Sequence, residues 1–202
     1  MADNYVYLLD GRAYVNITNR CANACAFCIR NTGDGVKDTP LWLEREPTAD
    51  DVMRAFAALE GRTDDEIVFC GFGEPTEKMD VLAECAKRFK AAGYRLRLNT
   101  NGLGSLVNCR DISKELKDFD VVSVSLNQAN TQKYAEITRS KFGDAAFGAV
   151  LDFARSCKSA GIAVVFTVVD TIGEDDIEEC KAVAEKLGIP LRVREYVPDN
   201  YN

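Results

Sequence analysis

The chain has no histidine among its 202 residues. That removes the commonest metal-binding imidazole and the side chain that titrates near neutral pH. Any proton transfer falls instead to carboxylates, lysine or tyrosine, with Glu195 and Tyr196 as candidates. Long apolar runs are missing too. The longest near the C-terminal end, Ile162 to Val169, is far too short for a hydrocarbon layer about 30 Å thick, so no membrane association is expected. An excess of basic residues is also absent. The formal net charge is −7 with acids and bases interspersed, which argues against nucleic-acid binding, because that depends on neutralising phosphates. The one locally basic stretch, Lys87 to Asn99, reads as an exposed helix face plus strand ends. The opening MADNYVYLLDGR shows no basic segment followed by an apolar run, so no signal peptide is expected. No linker or composition shift divides the chain. The expectation is a soluble cytoplasmic protein with one domain over residues 1–202.

Short strand-like runs alternate with amphipathic helices along the chain. Tyr5 to Leu9, an Asp-Gly turn, and Ala13 to Thr18 predict an opening hairpin. Strands are then predicted at Glu66 to Gly71, Arg95 to Thr100, Asp120 to Leu126, Ile162 to Val169 and Leu191 to Val197. Helices are predicted at Thr48 to Gly61, Glu77 to Gly93, Asp111 to Phe119, within Thr131 to Gly161, and at Glu174 to Gly188. Strict alternation implies parallel strands joined by right-handed crossovers. The expected fold is therefore α/β, a partial (βα)6 TIM-like barrel of parallel strands with an N-terminal β-hairpin. Chemistry in such folds gathers at the C-terminal strand ends. There the sequence places GFGEPT, NTNG, SLNQ, VVD and EYVPD, rich in glycine, amides, hydroxyls and acids. Singly these are ordinary turn chemistry. They should nevertheless all open on one mouth.

Eight cysteines occur, and only the first three form a constellation: Cys21, Cys25 and Cys28 in CANACAFC, a Cys-x3-Cys-x2-Cys spacing. A structural zinc site wants four ligands, usually from two knuckles, and neither a second Cys-x2-Cys nor a histidine is present. Iron–sulfur cubanes are held by thiolates, normally four. Three would leave one iron open to a non-protein ligand.

The motif, with Phe27 as the aromatic before its last cysteine, resembles the cluster loop of radical S-adenosylmethionine (SAM) enzymes. The resemblance covers nearly the whole chain, because members have a partial (βα)6 barrel with this loop after the first strand. It implies a 4Fe-4S cluster on Cys21, Cys25 and Cys28, with SAM as the second cofactor. The implied reaction is reductive cleavage of SAM to a 5′-deoxyadenosyl radical that abstracts hydrogen from an unidentified substrate. Gly73-Glu74-Pro75 is similar to the family's Gly-Gly-Glu-Pro stretch near the SAM amino group, with Phe72 as a departure. Ser125 and Asn127 resemble the ribose-contacting stretch, Asn127 replacing the commoner acid. Arg139 lies where many members carry an arginine for the SAM carboxylate. Val168, with Val169, is expected as an apolar wall for adenine, and Asn99, Asn101 and Glu195 at the cavity mouth.

The hairpin, the segment NITNRCANACAFCIRN and the short chain are together similar to the TatD-associated radical SAM subgroup. Other short members, the glycyl-radical activating enzymes and 7-carboxy-7-deazaguanine synthases, use a similar minimal barrel. The resemblance implies an electron donor such as flavodoxin or ferredoxin. So little chain to roof the barrel suggests either a macromolecular substrate or a homodimer. One alternative stays open: a non-catalytic electron carrier or sensor whose cluster takes Cys70 as a fourth ligand. Cys70 reads otherwise as a small buried residue.

Overall fold

The computed structural model describes residues 3–196. Strands β1 (Val6–Leu9) and β2 (Arg12–Val15) form the antiparallel hairpin. Its turn residues Asp10 and Gly11 have φ of 50° and 77°, the paired left-handed conformation that matches strand twist in two-residue turns. After β2 the chain makes a long excursion containing a small ribbon, β3 (Gly35–Val36) and β4 (Thr39–Pro40). It returns through helix α1 (Ala49–Ala57), which starts in a capping box where Thr48 and Asp51 satisfy each other's backbone N–H groups.

The alternation then runs as expected. It passes through β5 (Glu66–Phe69), α2 (Met79–Ala91), β6 (Arg95–Thr100), the single-turn α3 (Gly104–Val107) and β7 (Val121–Ser125). Helices α4 (Thr131–Thr138) and α5 (Ala145–Ser159), strand β8 (Ala163–Val169), α6 (Glu174–Leu187) and β9 (Leu191–Arg194) complete it. The sheet order is β1-β2-β5-β6-β7-β8-β9, and every pair after the first is parallel. Among the described residues its end strands do not pair with each other, so six parallel strands form an open, partial barrel. Among the described residues no helix is long and apolar enough to cross a membrane.

Alternation along the strands separates two environments. Outward-facing Val15, Phe69, Leu98, Val122, Val124 and Phe166 are fully buried against the helices in one continuous core. The concave face is polar instead. Near its lower end Arg12 meets Asp64 at 2.5 Å and Glu66 at 3.3 Å, and Arg97 meets Glu66 at 2.9 Å. Higher up, Asn99 pairs in register with Ser123, and Val169 with Arg194.

Three features depart from the sequence expectation. The crossover after β6 is not one helix over Asp111 to Phe119. It is α3 plus a 3-10 turn at Ser113–Leu116, separated where Cys109 takes φ of 52°. The β3–β4 ribbon, two residues per strand, is too short to carry a period. The last strand stops at Arg194, and Val197, expected in it, lies outside the described residues.

Burial pushes the thiols of Cys85, Cys157 and Cys180 up to about 12, whereas Cys109 is exposed. Alkylation of the folded protein at pH 8, mapped by peptide mass spectrometry, is expected at Cys109 and not at the other three. Phe69 is fully buried with its ring against Phe89 and Phe119. Phe69→Ala is expected to cost about 3–5 kcal/mol, read as a lower urea midpoint.

Candidate active site

The cysteine loop leaves the C-terminal end of β2 and is fastened to the end of α4. The last carbonyls of a helix have no partner within it. Here Thr138 O accepts from Ala24 N and Ile137 O from Ala26 N, both at 2.9 Å, while Lys141 N donates back to Ala22 O at 2.9 Å. Asn31 Nδ2 closes the loop from below by donating to Cys25 O at 3.1 Å. A main chain without secondary structure of its own is thereby given defined partners.

Cys21, Cys25 and Cys28 are each half-buried in this loop. Burial, and then the negative charge of Glu74, pushes the Cys21 thiol up to about 11. Burial, followed by Cys28 and Cys21 as like charges, pushes Cys25 to about 12. Thiolates crowded into so dry a loop need a cationic partner. Among the described residues no three His, Cys, Asp or Glu side chains are grouped to hold a single metal ion. One tetrahedral ion, with bonds of about 2.3 Å to sulfur, needs its thiolates nearly touching. A four-iron cubane takes each thiolate at a different corner and suits a wider spread. The donor set fits a cluster better than an ion.

The loop after β5 presses directly on the cysteine loop. A Cβ on Gly73 would lie 2.2 Å from Thr18 O and 2.7 Å from Arg20 O, so only glycine allows the two main chains to approach this closely. Glu74 N donates to Arg20 O at 2.8 Å, and Pro75 opens the 3-10 turn at Pro75–Lys78. The Glu74 side chain is buried, and its carboxylate accepts four hydrogen bonds. Oε1 accepts from Thr76 N (3.1 Å), Thr76 Oγ1 (2.7 Å) and Thr100 Oγ1 (2.7 Å), and Oε2 accepts from Asn101 N (2.7 Å). Burial still raises its pKa. Oε1 takes three of these bonds and Oε2 one, and together they tie the β5 and β6 loops to each other.

Phe72, the departure from the family stretch, fills a small second cluster with Tyr7, Val36 and Leu41. Trp42 lies edge-on to it at 5.0 Å, and Arg30 sits over the Trp42 ring at 5.2 Å. Arg30 also donates to Asn19 O and Phe72 O at 3.3 and 3.4 Å, pinning both loops.

Between the cysteine loop and the concave face of the sheet is a cavity of about 380 Å³. Phe27, Cys28, Asn99, Ser125 and Val169 line it, as do Cys70, Arg194, Glu195 and Tyr196. Val168 points the other way and is buried in the core, because side chains alternate along β8. The apolar wall therefore belongs to Val169. Asn127 is buried with φ of 62°, just past β7 and outside the cavity lining. Arg139 is exposed with φ of 47° at the end of α4, beside the residues that hold the cysteine loop but not in the cavity wall. Cys70 sits deeper. Burial raises its pKa, while a hydrogen bond with Asn99 and the charge of Arg194 act to lower it. Asn23, buried within the loop, and Tyr134, buried in α4, escaped the sequence reading, because a lone amide and a helical tyrosine carry no spacing signal.

An open parallel barrel with three thiols in a loop above its strand ends defines a cluster-binding α/β scaffold. The model of the radical SAM superfamily matches residues 15–187, and the chain belongs to that superfamily. Its members use a 4Fe-4S cluster and SAM. No curated protein matches the sequence. Among solved structures, SuiB from Streptococcus suis bound to SAM is 16% identical with a TM-score of 0.65, over 91% of this chain and 40% of that one. SuiB has also been solved bound to the precursor peptide SuiA. A radical SAM methyltransferase from Sphaerobacter thermophilus is 18% identical with a TM-score of 0.62, over 94% and 68%. HydG, a maturase of the FeFe-hydrogenase, is 17% identical with a TM-score of 0.64, over 94% and 44%. These likenesses concern the fold, and the chain spans about two-fifths of SuiB.

Gly73→Ala is expected to cost about 1–3 kcal/mol in urea denaturation, because backbone rather than a side chain must yield. Gly148→Ala in α5, where a Cβ meets nothing within 4 Å, should instead gain about 0.5–1 kcal/mol.

Proposed function

We propose that residues 1–202 act as one unit, a radical SAM enzyme that cleaves SAM reductively and uses the 5′-deoxyadenosyl radical to take hydrogen from an unactivated C–H bond. The observation that carries this reading is the three-cysteine loop, held on α4 and on Gly73 directly above the cavity at the strand ends. When bound, the cluster and SAM supply the electron and the radical precursor. The chain's own residues position and shield them. Cys21, Cys25 and Cys28 are the cluster ligands, and Phe27 covers the loop side of the cavity. Asn99 and Ser125 offer polar contacts for the nucleoside, and Val169 an apolar one. Arg139 lies at the end of α4, within the span of chain that bonds the cysteine loop, and its fork suits a carboxylate near that loop. Gly73 and Pro75 shape the approach of the β5 loop. Asn127 contributes by holding the turn after β7.

The substrate is proposed to be macromolecular, a peptide segment presented at the mouth. A cavity of about 380 Å³ is near the lower end for a small-molecule site, so cofactor alone would occupy most of it. The peptide bound to the similarly folded SuiB supports the same idea. Electrons would come from a flavodoxin- or ferredoxin-type donor, and pairing into a homodimer would close the open side of the barrel.

After anaerobic reconstitution, Cys21→Ser, Cys25→Ser and Cys28→Ser are each expected to lose the cluster and all 5′-deoxyadenosine formation. Cys70→Ala is expected to keep both, together with a SAM-dependent change in the paramagnetic resonance of the reduced cluster. Loss of the cluster in Cys70→Ala, with a wild-type spectrum blind to SAM, would show the fully ligated electron carrier instead.

A further inference from the structure

Cys21 differs from its two partners in what its sulfur touches. Its Sγ accepts from Asn23 N at 3.5 Å and from the side chain of Asn101, Nδ2, at 3.7 Å. Asn101 belongs to the loop after β6, distant in sequence from the cysteine motif, yet it is fixed at two further points. Its backbone N–H donates to Glu74 Oε2 at 2.7 Å, and its Oδ1 accepts from Leu103 N at 2.9 Å. The second contact settles the orientation of the amide. The oxygen must face an N–H donor, so the NH2 end faces the sulfur.

Glu74 closes the circuit. Its own N–H donates to Arg20 O, the residue before Cys21, while its carboxylate holds Asn101. A full negative charge and an amide donor therefore approach the same thiolate from one rigid, buried frame. The potential of an iron–sulfur cluster depends on hydrogen bonds to its sulfurs and on nearby charge. Reduction adds one negative charge. A donor to Cys21 favours the reduced form, and the Glu74 carboxylate disfavours it.

Building on the reading that Cys21 ligates a cluster, we propose that Asn101 and Glu74 are an opposed pair of positioning residues that sets its reduction potential. Asn101 raises the potential and Glu74 lowers it, and the hydrogen bond between them fixes the distance at which both act.

The test is a redox titration of the reconstituted protein without SAM, followed by paramagnetic resonance, with iron and sulfide measured on each sample. Asn101→Asp keeps the oxygen for Leu103 N but removes the donor to Cys21, and its midpoint should fall. Glu74→Gln removes the charge; its single oxygen serves the Thr76 and Thr100 donors, Asn101 stays held through Leu103 N, and the midpoint should rise. Each shift should reach at least a tenfold change in the reduction equilibrium, about 59 mV for one electron. Asn101→Ala, which loses the donor without adding charge, should shift downward by less and serves if Asn101→Asp takes up no cluster. Unmoved midpoints, or shifts of the same sign in the Asn101 and Glu74 variants, would overturn the proposal while leaving the enzyme reading intact. A wild-type protein that assembles no four-iron cluster would instead overturn the reading beneath it.

Discussion

The Glu74 carboxylate is the constraint on which the upper face of the molecule depends. A buried carboxylate is costly unless its oxygens are satisfied. This one is satisfied by two backbone N–H groups and two threonine hydroxyls drawn from the loop after β5, the end of β6 and the loop that follows it. Those bonds cannot form unless the two loops meet at the right height above the sheet. The same loop then packs its glycine on the main chain at Thr18 and Arg20. The position of the cysteine loop is thus dictated from below by a polar knot rather than by apolar packing alone.

The second fastening comes from the opposite side. The end of α4 lends its unpaired carbonyls to Ala24 and Ala26, so the loop completes a helix terminus as it takes its own shape. Strand β2, the β5 loop and α4 are separated in sequence by dozens of residues. Only the stacking of the strands into one curved sheet brings them within reach of a single segment. The site is therefore a product of the fold rather than of the motif, even though the motif announces it.

The fold was legible because its signals are local. Asp10-Gly11 can form little but a tight turn, Thr48 and Asp51 mark a helix start, β6 alternates arginine with leucine, and β7 and β8 read as short runs rich in valine. The cysteine spacing was legible for the same reason. The facing of Val168 against Val169 depends on the register of β8, a one-residue matter that a fully apolar run such as Ile162 to Val169 conceals. The inward turn of Glu74 onto Thr100 and Asn101 was hidden because the partners are 26 and 27 residues away in the chain. Phe72 looked like a flaw in a motif. It fills the pocket under Trp42 that the β3–β4 excursion creates, and nothing local reveals that excursion.

An unclosed barrel has edges. Strand β9 pairs with β8 on one side, and among the described residues no strand pairs with its other side, where Val193 is 41% exposed. Such a strand is a template for unwanted pairing with another chain. Here it is short, with Arg192 and Arg194 flanking the valine, so two copies brought edge to edge would set like charges against each other. The arginines that line this rim are thus also a guard on solubility, and replacing both with neutral residues would expose a seam suited to aggregation.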